Sequence, residues 1–170
     1  PDGVFMVDSQ FAPLSDKIAA AVKQVSNGAP IRFMVNTHVH GDHTGGNAAF
    51  GKLAPIVAHR NVRERMVNGP DKRPPEALPT VTYDGAMELS INGETIRIVK
   101  VPAGHTDGDS VVFFTKANVV HMGDVFIAPA VSFADRSNGG TILGLIEGLE
   151  FVLPQIPDGG KVIPGHGGVS

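Results

Sequence analysis

The chain has 170 residues, a formal net charge of −3, 42% apolar residues and no cysteine. That is enough apolar surface for one packed domain, and it excludes disulfides and thiolate ligands. No basic stripe runs along it, and no stretch approaches the roughly 20 apolar residues of a membrane span, so neither nucleic acid nor membrane is an expected partner.

In chain order, Val4-Phe5-Met6-Val7 reads as a strand. Leu14, Ile18, Val22 and Val25 recur at spacings of four, four and three, an amphipathic helix beginning near Ser15 or Asp16 and stopped by Gly28 and Pro30. Ile31, Phe33 and Val35 alternate as on a half-buried strand, and Pro55 to Ala58 make another. Asn61 to Asn68 is a short helix closed by Gly69-Pro70, and the proline-rich stretch Asp71 to Pro79 reads as an exposed linker. Met87 to Ile91 and Thr95 to Val101 flank Asn92-Gly93, a strong hairpin signal. Ser110 to Phe114 and Val119 to Met122 form a further strand pair. Ile142, Leu145, Ile146, Leu149, Val152 and Leu153 mark a late helix, and Lys161 to Ile163 a last strand.

The strand-and-helix inventory thus occurs twice. The expectation is a single domain over residues 1–170, an α/β (α+β) arrangement of two facing mixed sheets with helices on their outer faces. Both ends read as cut from a longer protein. The compartment is therefore left open between periplasm and cytoplasm for a soluble chain, and the oligomeric state is left open too.

Residues 36 to 43 read NTHVHGDH, three of the seven histidines and an aspartate within six positions. On a helix, His38 and His40 would point nearly opposite ways; at the end of the strand Ile31 to Asn36 they share a face. Gly41 then lets the chain turn so that Asp42 and His43 swing back. Imidazole and carboxylate suit zinc at about 2.0–2.2 Å, and four such ligands on so short a loop call for two ions rather than one. Further ligands are sought where strands end beside glycine: Gly104-His105-Thr106, Gly123-Asp124 and Gly165-His166-Gly167. His59 and His121 lack this context and read as structural or surface residues.

With His38-x-His40-x-Asp42-His43, Gly104-His105-Thr106, Gly123-Asp124 and Pro164-Gly165-His166 in this order, the chain resembles the metallo-β-lactamase superfamily of αββα metallo-hydrolases. The resemblance implies a first zinc on His38, His40 and His105, and a second on Asp42, His43 and His166, with Asp124 bridging the two. Two Zn2+ per chain are expected, with iron or manganese as substitutes. Asp124 stands where the best-known lactamase subclass carries cysteine, and Ile127 where it carries a lysine. The Gly-Asp form is similar to thioesterases of the glyoxalase II type.

The activity implied is attack of a zinc-held hydroxide on the carbonyl of an amide or β-lactam, a thioester or a lactone, with Asp42 orienting the nucleophile. Two zinc ions outweigh Asp42, Asp124 and a hydroxide in charge, which favours a small anionic substrate. Ser132, Phe133, Arg136 and Asn138, on the stretch Pro129 to Thr141, are candidates for touching it. The alternatives are a glyoxalase II-like thioesterase and a zinc-binding domain without turnover.

Overall fold

The computed structural model describes residues 2–70 and 72–170, and the chain divides into two compact units, 1–82 and 83–170. The first unit holds a sheet in the order β1 (Val4–Val7), β2 (Ile31–Val35), β3 (Ile56–His59), β4 (Val81–Tyr83), the last strand ending at the unit boundary. β1, β2 and β3 run parallel, joined through helix α1 (Ser15–Val25) and the one-turn helices α2 (Gly41–Thr44) and α3 (Asn47–Phe50). A central parallel strand is covered on both faces. This is why Met34 and Val35 are both fully buried, where alternation alone predicted one inward face.

Helix α1 lies where its spacing places it, but its packed residues are Ile18 and Ala19, against Met6, Met34, Phe50 and Ile56. Leu14 and Val25, at its two ends, are exposed. Helix α4 (Arg60–Asn68) starts on His59, whose buried ring accepts the Asn61 amide at 3.2 Å and so caps the helix. Of the two readings open for His59, structural or surface, the buried cap is the structural one.

The reading of Asp71 to Pro79 as an exposed linker needs correction. Asp71 lies outside the described residues. Beyond it, Pro75–Ala77 form a 3-10 turn belonging to the first unit, with Ala77 and Pro79 buried. The backbone there is used: Asn47 Nδ2 donates to the Ala77 carbonyl at 3.0 Å, and Arg63 Nε to that of Pro79 at 3.0 Å. Prolines lack a donor but keep an acceptor, so a proline-rich stretch can pack once donors meet it.

The second unit is a five-stranded sheet in the order β5 (Ala86–Ile91), β6 (Glu94–Lys100), β7 (Ser110–Phe114), β8 (Val119–Ile127), β9 (Lys161–His166). Four of these strands run antiparallel in sequence, and β9 closes the sheet parallel to β8. Asn92 and Gly93, at φ 55° and 74°, make the tight turn between β5 and β6 that their identity predicts. β8 continues past Met122 to Ile127, so Gly123 and Asp124 lie inside a strand, not after one.

Helix α5 (Ile142–Val152) is capped by the Thr141 hydroxyl, which accepts the Gly144 amide at 2.9 Å. Leu145, Gly144, Gly148 and Val152 face inward, whereas Ile142 and Ile146 are exposed. The close seating of α5 is set by Gly144, where a Cβ would stand 1.9 Å from the Ala103 carbonyl oxygen, a feature that hydrophobic periodicity does not count. The core of this unit gathers Val99, Val101, Val111, Phe113, Val120, Met122, Val125 and Val152. Among the described residues, no helix is long and apolar enough to cross a membrane.

A Cβ on Gly51 would stand 1.9 Å from the Glu76 carbonyl oxygen, whereas one on Gly85 would meet nothing within 4 Å. Gly51→Ala is expected to destabilise the protein by about 1–3 kcal/mol and Gly85→Ala by less than about 0.5 kcal/mol in urea unfolding. Equal midpoints for the two variants would show that the 75–77 turn is not packed on α3.

Candidate functional site

In the first unit, the segment after β2 is organised by a residue outside the histidine motif. Asp8 follows β1, and its Oδ1 accepts the Thr37 amide at 2.8 Å. Its Oδ2 accepts the Thr37 hydroxyl at 2.8 Å and meets His43 Nδ1 at 2.7 Å. Because Thr37 spends its one hydroxyl hydrogen on Asp8, its oxygen accepts from His38 Nδ1 at 3.0 Å. Both histidines therefore carry their proton on Nδ1 and turn Nε2 the other way. His38 Nε2 meets His40 Nδ1 at 3.1 Å, and His43 Nε2 lies 3.5 Å from Asp42 Oδ2.

A polar network with no solvent exposure stands behind this cluster. Ser9 donates to Asn47 Oδ1 at 2.8 Å, Asn36 Nδ2 donates to the same oxygen at 3.1 Å, and Asn47 Nδ2 returns a bond to Asn36 Oδ1 at 2.8 Å. Ser9, Asn36 and Asn47 are all fully buried. Asp8 and Gln10 adopt φ 57° and 58°, a left-handed conformation rare outside glycine. Three backbone bonds hold them there: Asp8 N to Val35 O and Ser9 N to His43 O at 2.8 Å each, and Gly46 N to Gln10 O at 2.7 Å. Gly41 does not act as a hinge; it opens α2, whose single turn presents Asp42 and His43.

In the second unit, His105 is fully buried and donates from Nδ1 to the Phe133 carbonyl at 2.8 Å. That fixes its tautomer, and Nε2 faces Asp124 Oδ2 at 3.5 Å. His166 Nε2 reaches the same oxygen at 3.3 Å, from a side chain 42% exposed. The loop after His105 is tied by Asp109, which accepts the Thr106 amide at 2.9 Å and its hydroxyl at 2.6 Å. Burial pushes the Asp109 carboxyl up to about 6, against these bonds, which pull it down. Burial likewise raises the Tyr83 phenol, which donates to Ser110 at 2.6 Å.

One pattern recurs in His38, His43 and His105: Nδ1–H is bonded to protein and Nε2 is directed to another histidine or aspartate. Metal-ligating histidines are held in this way, and imidazole with carboxylate is the donor chemistry zinc takes. His38, His40, Asp42, His43, His105, Asp124 and His166 all fall in groups that could hold a metal ion.

The four loop residues expected near a substrate are placed as follows. The Ser132 hydroxyl donates to the Asp124 carbonyl, and Asn138 Nδ2 donates to Asp135 Oδ2 at 2.7 Å. The Phe133 ring stands edge-on to His105 at 4.7 Å, and Arg136 is exposed on a 3-10 turn. Asp8, Thr37 and Asp109 were missed. Asp8 had half a signal: it is a carboxylate at the end of a strand, but it lacks the adjacent glycine that marks His105, Asp124 and His166.

The sequence model of the metallo-β-lactamase superfamily matches residues 1–168. A hydroxyacylglutathione hydrolase of Anaeromyxobacter dehalogenans (strain 2CP-C) is 27% identical over 161 residues, 94% of this chain and 57% of that protein. The 2,4-dinitroanisole O-demethylase subunit alpha of Nocardioides sp. (strain JS1661) is 30% identical over 132 residues, 75% of this chain and 39% of that one. The chain thus spans little more than half the length of these curated relatives, or less. A metallo-β-lactamase structure from Pontibacter korlensis superposes with a TM-score of 0.85 at 18% identity, covering 99% of this chain and 77% of that one, which shows a common fold. With the family match running through both sheets and every histidine motif, the chain belongs to the metallo-β-lactamase superfamily.

Proposed function

We propose that the two histidine-and-aspartate groups are the halves of one dizinc centre, and that the protein is a hydrolase acting on a small anionic carbonyl substrate. The observation that carries this is the shared tautomer of His38, His43 and His105, each with Nδ1–H anchored and Nε2 directed at a neighbouring histidine or aspartate. Support for joining the halves comes from the single family match across residues 1–168.

In this reading His38, His40 and His105 would hold one zinc, Asp42, His43 and His166 the other, and Asp124 would serve both. When bound, zinc supplies Lewis acidity and lowers the pKa of water to about 7, so no serine or cysteine nucleophile is required. Asp42 orients the attacking water. Asp8 and Thr37 keep His38 and His43 in their working tautomers, and the Phe133 carbonyl does so for His105. The Phe133 ring and Arg136 offer an aromatic wall and a cation to the substrate, with Ser132 and Asn138 on the same loop. The name of the hydroxyacylglutathione hydrolase relative favours a thioester as the natural bond over a β-lactam, while the solved structures share only the fold.

Asp42→Ala and Asp124→Ala are each expected to lose about one zinc per chain in metal analysis, with far-UV spectra unchanged. Unaltered zinc content in both would sink the ligand assignment. Zinc-loaded protein is expected to turn over an S-acyl thioester in preference to a chromogenic β-lactam, with both rates gone in Asp124→Ala. Zinc bound without turnover of thioester, lactone or β-lactam would leave the binding domain as the reading.

Asp8→Ala is expected to lower zinc affinity by about 10–100-fold in chelator competition, the range for loss of a group that orients ligands. Affinity within about 3-fold of wild type would show that the Asp8 network does not position His43.

A further inference from the structure

The pairing of β8 changes character at His121. Up to that residue β8 pairs with β7, the last partners being Val112 and His121. Beyond it the ladder runs with β9 alone and slips twice, between His121 and Gly123 and again between Gly123 and Ile127. From Gly123 to Ile127 β8 advances four residues while β9 advances two, from Pro164 to His166. The bulge so formed carries Asp124, with its Oδ2 at 3.5 Å from His105 and 3.3 Å from His166.

Two features hold the bulge. Gly123 is buried at φ 51°, a conformation that favours glycine. Its amide donates to Nδ1 of His121 at 3.2 Å. A backbone N–H can only donate, so His121 Nδ1 is an acceptor and the ring carries its proton on Nε2, opposite to His38, His43 and His105. On the far side, a Cβ on Gly165 would stand 1.9 Å from Asp124 Oδ1 and 2.7 Å from the Gly123 carbonyl carbon. The Asp124 carboxylate is thus set by the Gly123 backbone with no room to relax toward β9.

From this we infer that His121 is a positioning residue for Asp124: its ring stands in for the ladder partner that β7 no longer supplies, and fixes the bulge that aims the carboxylate at His105 and His166. Its effect on metal rests on the dizinc reading; its effect on the bulge does not. Asparagine can place its side-chain oxygen near the position of Nδ1, whereas leucine keeps bulk and supplies no acceptor.

The experiment compares wild type, His121→Asn and His121→Leu in zinc affinity by chelator competition and in amide exchange at Gly123 in metal-free protein. His121→Leu is expected to bind zinc about 10–100-fold more weakly and to lose protection at Gly123, with the asparagine variant within about 3-fold of wild type in both. Wild-type Gly123 protection in His121→Leu, or equal losses in the asparagine and leucine variants, would overturn the proposal. If wild type binds no zinc, the dizinc reading fails by itself, and Gly123 exchange still decides for or against the bulge.

Discussion

The carboxylate of Asp8 is shared among three donors, the Thr37 amide, the Thr37 hydroxyl and His43 Nδ1, at 2.7–2.8 Å. Whatever the segment NTHVHGDH does depends on this sharing. A carboxylate taken this far out of water is costly unless its lone pairs are used, and here they are used to set the protonation of two rings. His43 is set directly. His38 is set through Thr37, whose hydroxyl can donate only once. The left-handed backbone at Asp8 is the local strain that accompanies this arrangement, held by backbone bonds from Val35 and His43.

The second unit reaches the same end with different parts. His105 is set by a backbone carbonyl, that of Phe133, instead of a carboxylate. Asp124 is set by a bulge in β8, and the Ser132 hydroxyl donates to its carbonyl. The loop 129–141 is therefore joined to both His105 and Asp124 by hydrogen bonds. A substitution in it that breaks these bonds would be felt at the His105 ring and at the Asp124 backbone. This follows from the low tolerance of buried polar groups for losing a partner.

Membership of the superfamily is broad in chemical terms. Its relatives here carry names as different as hydroxyacylglutathione hydrolase and 2,4-dinitroanisole O-demethylase subunit alpha. A polarising, water-ionising centre of the kind proposed above would serve any substrate with a carbonyl or a leaving oxygen or sulfur. On the loop 129–141, Phe133 and Arg136 are exposed, whereas the bonds of Ser132 and Asn138 are internal.

The sequence by itself determined which histidines and aspartates fall in groups that could hold a metal ion, and most of the elements. HxHxDH is dense enough to be read without neighbours, and β2, α1, α4, α5 and the Asn92-Gly93 hairpin follow from local periodicity and turn chemistry. Three things were decided only in the tertiary structure. Asp8 lies 35 residues from His43, and its role depends on two parallel strands ending side by side. The 71–79 stretch looked like a linker because prolines advertise exposure, while donors from Asn47 and Arg63 bury part of it. The bulge at Gly123 is invisible in the run VVHMGDVFI because a register slip is a property of two strands, not of one. Local sequence determines what a residue can donate or accept; which group it meets is determined by chain segments far away.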